Sequence, residues 1–452
     1  MNFKKSITET FEFFEFIHLI CDQNEKILMR LWLLGNKQIQ YYLVEYTTKF
    51  NFYQDVYMIS KKFYNNTRLW IFDKIVNKLI LQKNISTETK VLFVNEKIID
   101  IQYFDLFEIL PCDLVYLSLN ASNFTNKTIE NLKTKTRLKT LEFITKNKFT
   151  KGFGKYLPET LETLEVDNCK WTVFENNDLI TDLPCNITKL TITECGISEI
   201  PDFIQNLSCL RFLNLSKNEI RKISPKIANL LYLKYLLLTC NNLEQIGEDI
   251  GKITSLKYLN LNNNNIIFLP ENIGQLTNLK LLDCSCNKLT NIPETLCLLT
   301  NLTELHFGLN EINNIPSSFS QLKNLKYLEL SDNKLKIIPT CLLDLNKLNY
   351  LDLNANNIEE LVDLSSLVSL HILFLGRNKL KIIPNSIGNL TNLTELYLEN
   401  NCISSVTSNL SNLKKLKILT IYNNEELDIL TRKEIEKMVP YLSIEWKKYG
   451  NN

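Results

Sequence analysis

Residues 256–278 read LKYLNLNNNNIIFLPENIGQLTN, and the fold follows from that stretch. Leu256, Leu259, Leu261, Ile266, Leu269, Ile273 and Leu276 form an apolar frame in which one asparagine, Asn264, and one proline, Pro270, hold fixed places. The frame returns every 23 residues. That step carries Leu210 to Leu233, Leu256, Leu279, Leu302, Leu325 and Leu348, shortens by one residue to reach Leu370, and resumes at Leu393 and Leu416. A period of this length is the signature of a solenoid, in which no unit buries its own apolar face and each stacks on its neighbours.

The residue types say what each part of a unit does. Around Leu259 and Leu261 apolar and polar residues alternate with period two, which predicts a short strand with one buried and one free face. The column Asn218, Asn241, Asn264, Asn287, Asn310, Asn333, Asn356, Asn378, Asn401 and Asn424 is expected inside each turn, where an amide satisfies backbone groups that lack a sheet partner. Pro201, Pro270, Pro293, Pro316, Pro339 and Pro384 fix φ and supply no N–H, which suits an irregular crossing better than a long helix. Ile227, Ile250, Ile273, Leu296, Phe319, Leu342, Ile387 and Leu410 then return the chain to the core. Each fully buried aliphatic side chain contributes roughly 1.5–3 kcal/mol, so a continuous core outweighs local propensity.

With those columns in register, the sequence from about Leu161 to Asn424 resembles the leucine-rich repeat family, of the short intracellular kind with Leu-Pro in the second half of the repeat. The resemblance implies an α/β fold, a right-handed solenoid with a parallel β-sheet on its concave side. The domain reading is residues 1–88 as a helical N-terminal cap, 89–186 as degenerate repeats, 187–424 as regular repeats and 425–452 as a C-terminal cap. Leu114-x-x-Leu117-x-Leu119, Leu138-x-x-Leu141-x-Phe143 and Leu161-x-x-Leu164-x-Val166 keep the strand signature, while Ser122 and Lys146 replace the asparagine and residues 171–178 lengthen a unit. At the end, 432–438 reads as a helix stopped near Pro440, and Leu442, Ile444 and Trp446 alternate like an edge strand.

In the first segment Phe13, Phe14, Phe16, Ile17 and Ile20, and then Ile27, Leu28, Leu31, Leu33 and Leu34, are spaced as on helices. Glu25 to Leu34, followed by Lys37, Ile39 and Leu43, resembles the middle helices of an F-box. That resemblance implies docking on the adaptor of a cullin-type ubiquitin ligase; the same helices serve equally well as a plain cap.

Composition narrows the function classes. The 452 residues carry 51 basic and 50 acidic side chains, a net charge of +1, which argues against a general nucleic-acid or anionic-membrane surface. Glu9, Glu12 and Glu15 interrupt the only leader-like run, and no apolar stretch of about 18 residues follows. A soluble cytoplasmic protein is expected. Cys195 stands in the asparagine column and Cys284 in a leucine column, where a thiol acts as a small hydrophobe, so neither a metal site nor a disulfide is expected at Cys284 and Cys286.

In-register strands about 4.8 Å apart align equivalent outward residues into ladders. One outward column holds Phe212, Tyr235, Tyr258, Leu281, Glu304, Tyr327, Tyr350 and Ile372; its neighbour holds Asn214, Leu237, Asn260, Asp283, His306, Glu329, Asp352, Phe374 and Tyr397. Asp332 precedes the asparagine column, and Arg377 takes that place two repeats later. Tyrosines combine large contact area with a polar tip, and unpaired carboxylates repel one another until a basic partner relieves them. The face is therefore expected to bind a protein presenting Lys or Arg; the alternative is that the tyrosines shield the sheet and the carboxylates are only solvated. His306 between Asp283 and Glu329 invites an acid–base reading. With three histidines in the chain, no phosphate loop and no nucleophile motif, a non-catalytic scaffold without cofactor is the stronger expectation; the resemblance to intracellular leucine-rich repeats implies a small GTPase or a phosphatase as one kind of partner.

Overall fold

The computed structural model describes strands at 28–35, 38–45, 68–71 and 89–94, and then residues 114–119, 130–144, 153–168, 183–442 and 444. Within the repeat 256–278, Tyr258–Asn260 forms a strand whose central Leu259 is buried between half-buried flanks. The chain turns at Asn263, where φ is +55°. Inside the turn, the Asn264 Nδ2 donates to the carbonyls of Leu261 and, one coil back, Leu238, both at 2.9 Å. Its Oδ1 accepts the Leu243 N–H at 3.0 Å. One side chain thus closes its own turn and ties it to the preceding coil. Pro270, at φ −70°, opens the 3-10 helix Glu271–Gln275, which ends as the Leu276 N–H bonds to the Ile273 carbonyl at 3.1 Å. A unit of this length leaves no room for a longer helix between returning strands.

Repetition builds one sheet of sixteen strands in chain order, from 68–71 to 418–420. Neighbours pair in parallel, for example Tyr258–Asn260 with Leu281–Asp283 and Tyr327–Glu329 with Tyr350–Asp352. The inward leucines, the isoleucines after each asparagine and the residues returned by the 3-10 turns fuse into one core from Leu114 to Val439. Asn287, Asn310, Asn333 and Asn356 repeat the Asn264 bonds, so the expected asparagine ladder is present. Where Cys195 replaces the asparagine, its thiol reaches the Thr193 carbonyl, and its own N–H donates to Asn218 Oδ1 of the next coil at 3.0 Å. The short repeat before Leu370 has no proline and no 3-10 helix.

Two expectations need correction. Leu28–Gly35 and Gln38–Glu45, read as helical, form an antiparallel pair of strands in which Gly35 faces Gln38. The run is rich in aromatic and β-branched residues (Trp32, Ile39, Tyr41, Tyr42, Val44), which prefer the pleated conformation, and an apolar run so dense satisfies either period. Arg68–Ile71 joins the parallel sheet, so the repeat architecture reaches into the segment assigned to the cap. The C-terminal helix spans Ile429–Met438, capped by Asp428 Oδ1 accepting the Thr431 N–H at 2.6 Å, and of the expected edge strand only Leu442 and Ile444 are described. Both pack, half-buried, against the end of the core. Phe13 to Ile20, Ser122, Lys146, residues 171–178 and Trp446 lie outside the described residues.

Candidate functional site

The strand register brings the two outward columns together as the sequence implies. Tyr235 pairs with Tyr258, Glu304 with Tyr327, Tyr327 with Tyr350, Asp283 with His306, His306 with Glu329, Glu329 with Asp352 and Phe374 with Tyr397. Because parallel rungs repeat at a stacking distance, rings on successive strands lie face to face. Tyr235 and Tyr258 stack at 4.7 Å between centroids, Tyr327 and Tyr350 at 4.0 Å, and Phe374 and Tyr397 at 4.2 Å. His306 lies 4.6 Å from Tyr327, and Tyr350 lies 5.4 Å from Phe374. The run therefore crosses between columns and is continuous from His306 to Tyr397.

Carboxylates border this run. His306 Nδ1 and Glu329 Oε2 are 2.8 Å apart. Burial opposes charge on the imidazole, yet the Glu329 hydrogen bond and the fields of Asp283, Glu329 and Glu304 outweigh it, and the His306 pKa is raised. Burial pushes the Asp352 carboxyl up to about 6, with Glu329, Asp332 and Glu399 adding to the push against the bond from the Asn354 N–H. Tyr350 and Tyr327 are raised as well, first by burial, with nearby carboxylates contributing. The geometry can bind, stack and accept hydrogen bonds. Among the described residues no three His, Cys, Asp or Glu side chains converge as a metal site would require.

The structure also gives several of these residues a local task. Asn260, Asp283 and Asp352 each turn one side-chain oxygen onto the N–H two residues ahead, at 2.9, 3.0 and 2.9 Å. Asn260 Oδ1 also accepts from Thr239 Oγ1 at 2.8 Å, so Asn260 has little left to offer a partner. Tyr397 Oη donates to Glu395 Oε2 at 2.8 Å. Asp332 and Arg377 sit in the left-handed turn column, both at φ +52° and exposed, with Ala355 between them. Asp332 reaches the acidic group through its field on Asp352, whereas Arg377 makes no ion pair among the described residues.

Sequence reasoning missed a third outward column, Gly308, Ser331, Asn354, Gly376 and Glu399. A Cβ on Gly308 would stand 2.6 Å from Glu329 Oε1, and one on Gly376 would stand 2.5 Å from Glu399 Oε1. These two glycines let carboxylates of the next strand lie down across the backbone, which concentrates negative charge around Asp352. Glu399 is held there by Thr420 Oγ1 at 2.6 Å. Extending the column analysis by two positions would have found it.

With this geometry in view, comparison with known proteins is informative. Residues 236–325 and 310–443 match the family model described as leucine-rich repeat region. A leucine-rich repeat protein of Leptospira interrogans superposes with a TM-score of 0.61 at 24% identity, covering 84% of this chain and 93% of that one. The internalin InlF of Listeria monocytogenes gives 0.55 at 26%, covering 76% and 94%. In the complex of Toll with Spätzle from Drosophila the match scores 0.57 at 19%, covering 80% of this chain and 54% of that one. No curated protein matches the chain by sequence. No described helix is long and apolar enough to cross a membrane.

Proposed function

Residues 236–443 belong to the leucine-rich repeat family, and from that premise we propose that this chain is a non-catalytic scaffold whose concave sheet face binds a partner protein through a basic, aromatic-compatible surface. The observation that carries the reading is the uninterrupted ring run from His306 to Tyr397 flanked by carboxylates, one of which, Asp352, has its pKa pushed up to about 6. A carboxylate in that state is poorly compensated, and a Lys or Arg supplied by a partner would relieve it while the tyrosines cover the aliphatic part of that side chain. The Asn354 Oδ1, buried with no donor, would gain one from the same cation. All nine described cysteines are free.

The experiment is fluorescence anisotropy of a labelled peptide alternating arginine and leucine, titrated with the full chain. Reversing both charges in Glu329→Lys/Asp352→Lys should weaken binding at least tenfold, and Tyr327→Ala should weaken it similarly. Equal affinity for wild type and the double variant would remove the reading. Recruitment to a cullin-type ligase through residues near 17–43 draws no support from the antiparallel strands found at 28–45.

A further inference from the structure

At the leading edge of the same sheet, one residue before the outward tyrosine column, lies a ladder that the acidic reading does not use. Its backbone rungs are hydrogen-bonded in sequence: the Lys234 N–H bonds to the Arg211 carbonyl, Lys257 to Lys234 and Lys280 to Lys257, each at 2.8 Å. Four consecutive rungs therefore present Arg211, Lys234, Lys257 and Lys280, the outer two exposed and the inner two half-buried. The ladder stops at the next rung, where Thr303 bonds to the Lys280 carbonyl.

What distinguishes these four is a lack of countercharge on consecutive rungs; the next cation of the ladder, Lys326, stands apart, two rungs past Lys280. Towards the N-terminus, Lys139 is paired with Glu162 at 2.6 Å, and Lys189 with Glu165 at 2.8 Å, with its Nζ over the Phe212 ring. None of the four makes an ion pair among the described residues, although their rungs lie about 4.8 Å apart and their charges repel. Beside them run Phe212, Tyr235 and Tyr258, the last two stacked at 4.7 Å, and next to Tyr235 and Tyr258 lie Leu237 and Asn260. Arg211 also lines a shallow groove with Thr188, Cys209 and the exposed Tyr232.

We propose that Arg211, Lys234, Lys257 and Lys280, with the Tyr235–Tyr258 stack, form a docking strip for a short acidic peptide segment of a partner protein that also presents an aromatic or aliphatic side chain. This strip shares with the reading above only the premise that the outward sheet face is where partners bind. Its length decides the class of ligand. Four rungs span roughly 14 Å, about four extended residues, with Asp283 and Glu304 past one end and the neutralised pairs Lys139–Glu162 and Lys189–Glu165 past the other. Glu304 is near enough to raise the Tyr258 pKa, after burial. A continuous polyanion would meet carboxylates past Lys280 and find no net positive charge past Arg211, whereas a short acidic block fits within the strip.

The test uses the full chain and three labelled probes in anisotropy: a peptide with four consecutive glutamates flanked by phenylalanines, its glutamine counterpart, and a ten-nucleotide single-stranded RNA. The glutamate peptide should bind at least tenfold more tightly than the glutamine one, and should weaken as salt rises. Lys234→Glu/Lys257→Glu should remove that preference, while Glu329→Lys/Asp352→Lys should leave it intact or strengthen it. Lys234→Met/Lys257→Met, which keeps the aliphatic stems, guards against misfolding and should lose affinity as well. Equal binding of the two peptides, glutamate binding indifferent to the ladder variants, or RNA binding tighter than the acidic peptide would each overturn the proposal. Failure of the arginine–leucine probe with success of the glutamate probe would sink the earlier reading and leave this one standing, and the reverse outcome would do the opposite.

Discussion

Asp352→Asn should stabilise this protein at neutral pH. The side chain stands mid-strand with Oδ1 accepting the Asn354 N–H at 2.9 Å. Asn214 and Asn260, at the same place in other repeats, make the equivalent bond at 3.0 and 2.9 Å, so asparagine keeps the local turn. What is lost is a charge that burial, Glu329, Asp332 and Glu399 make unfavourable. Moving the carboxyl from 3.8 to about 6 corresponds to at most about 3 kcal/mol, at roughly 1.4 kcal/mol per tenfold change in proton affinity; because the residue retains some solvent contact, a gain of about 1–2 kcal/mol is expected. The sign follows from linkage: the folded pKa is raised, so the group's favourable contribution is complete below about pH 4 and is lost as pH rises through about 6. Urea unfolding of wild type and Asp352→Asn, followed by circular dichroism from pH 4 to 8, should give curves that coincide near pH 4 and separate to a plateau above about 6.5. A variant no more stable than wild type at pH 7.5, or one whose advantage is the same at pH 4, would refute the reasoning. The same substitution should weaken the arginine–leucine probe, an exchange of stability for binding that functional sites commonly make.

Other expectations follow from the same contacts. Asn287→Ala strips the acceptor from the buried Ile266 N–H and the donor from the Leu261, Cys284 and Ser285 carbonyls, and should lower urea stability by about 2–4 kcal/mol, since an orphaned buried group costs about 1–3 kcal/mol; a loss below 1 kcal/mol would argue that water enters the turn. Leu309, exposed and held at φ +55°, should gain about 1 kcal/mol on replacement by glycine, measured the same way. Affinity for the arginine–leucine probe should fall several-fold between pH 7.5 and 5, as Asp352 takes up a proton and His306, whose pKa is raised, gains charge; an affinity independent of pH in that window would exclude both groups from the contact.

What the sequence made legible was what repetition makes redundant. The leucine columns and the asparagine column could be read because ten units state the same requirement, and the ladders of tyrosines and carboxylates followed from register alone. Period two says only that Asn260 or Asp283 faces outward. It does not say that a short side chain will turn onto the N–H two residues ahead, and that bond assigns part of the column to turn formation. Gly308 and Gly376 carried no chemistry to notice, yet the space they leave is what lets Glu329 and Glu399 fold down. At 28–45 no repetition exists to choose between periods, and a dense run such as LMRLWLLG satisfies i, i+3, i+4 as readily as alternation.

The basic ladder was missed for a different reason, which bears on how a net charge should be used. A solenoid separates its constraints by column. Leucine, asparagine and proline positions answer to packing, and the turn column accepts any side chain that tolerates positive φ, as its occupants Glu194, Lys217, Leu309, Asp332, Ala355 and Arg377 illustrate. None of that column is β-branched, the type for which left-handed backbone is most costly. The outward columns answer to neither constraint, so neighbouring rungs can differ freely in charge. Lys280 and Glu304 belong to adjacent strands, yet they mark the boundary between four unpaired cations and a run of carboxylates. A chain total of +1 is consistent with no charged surface at all, and equally with two strong ones of opposite sign on a single face. It weakens the case for a long polyanion, which averages over many rungs. It carries no weight against a short charged segment, which meets only three or four.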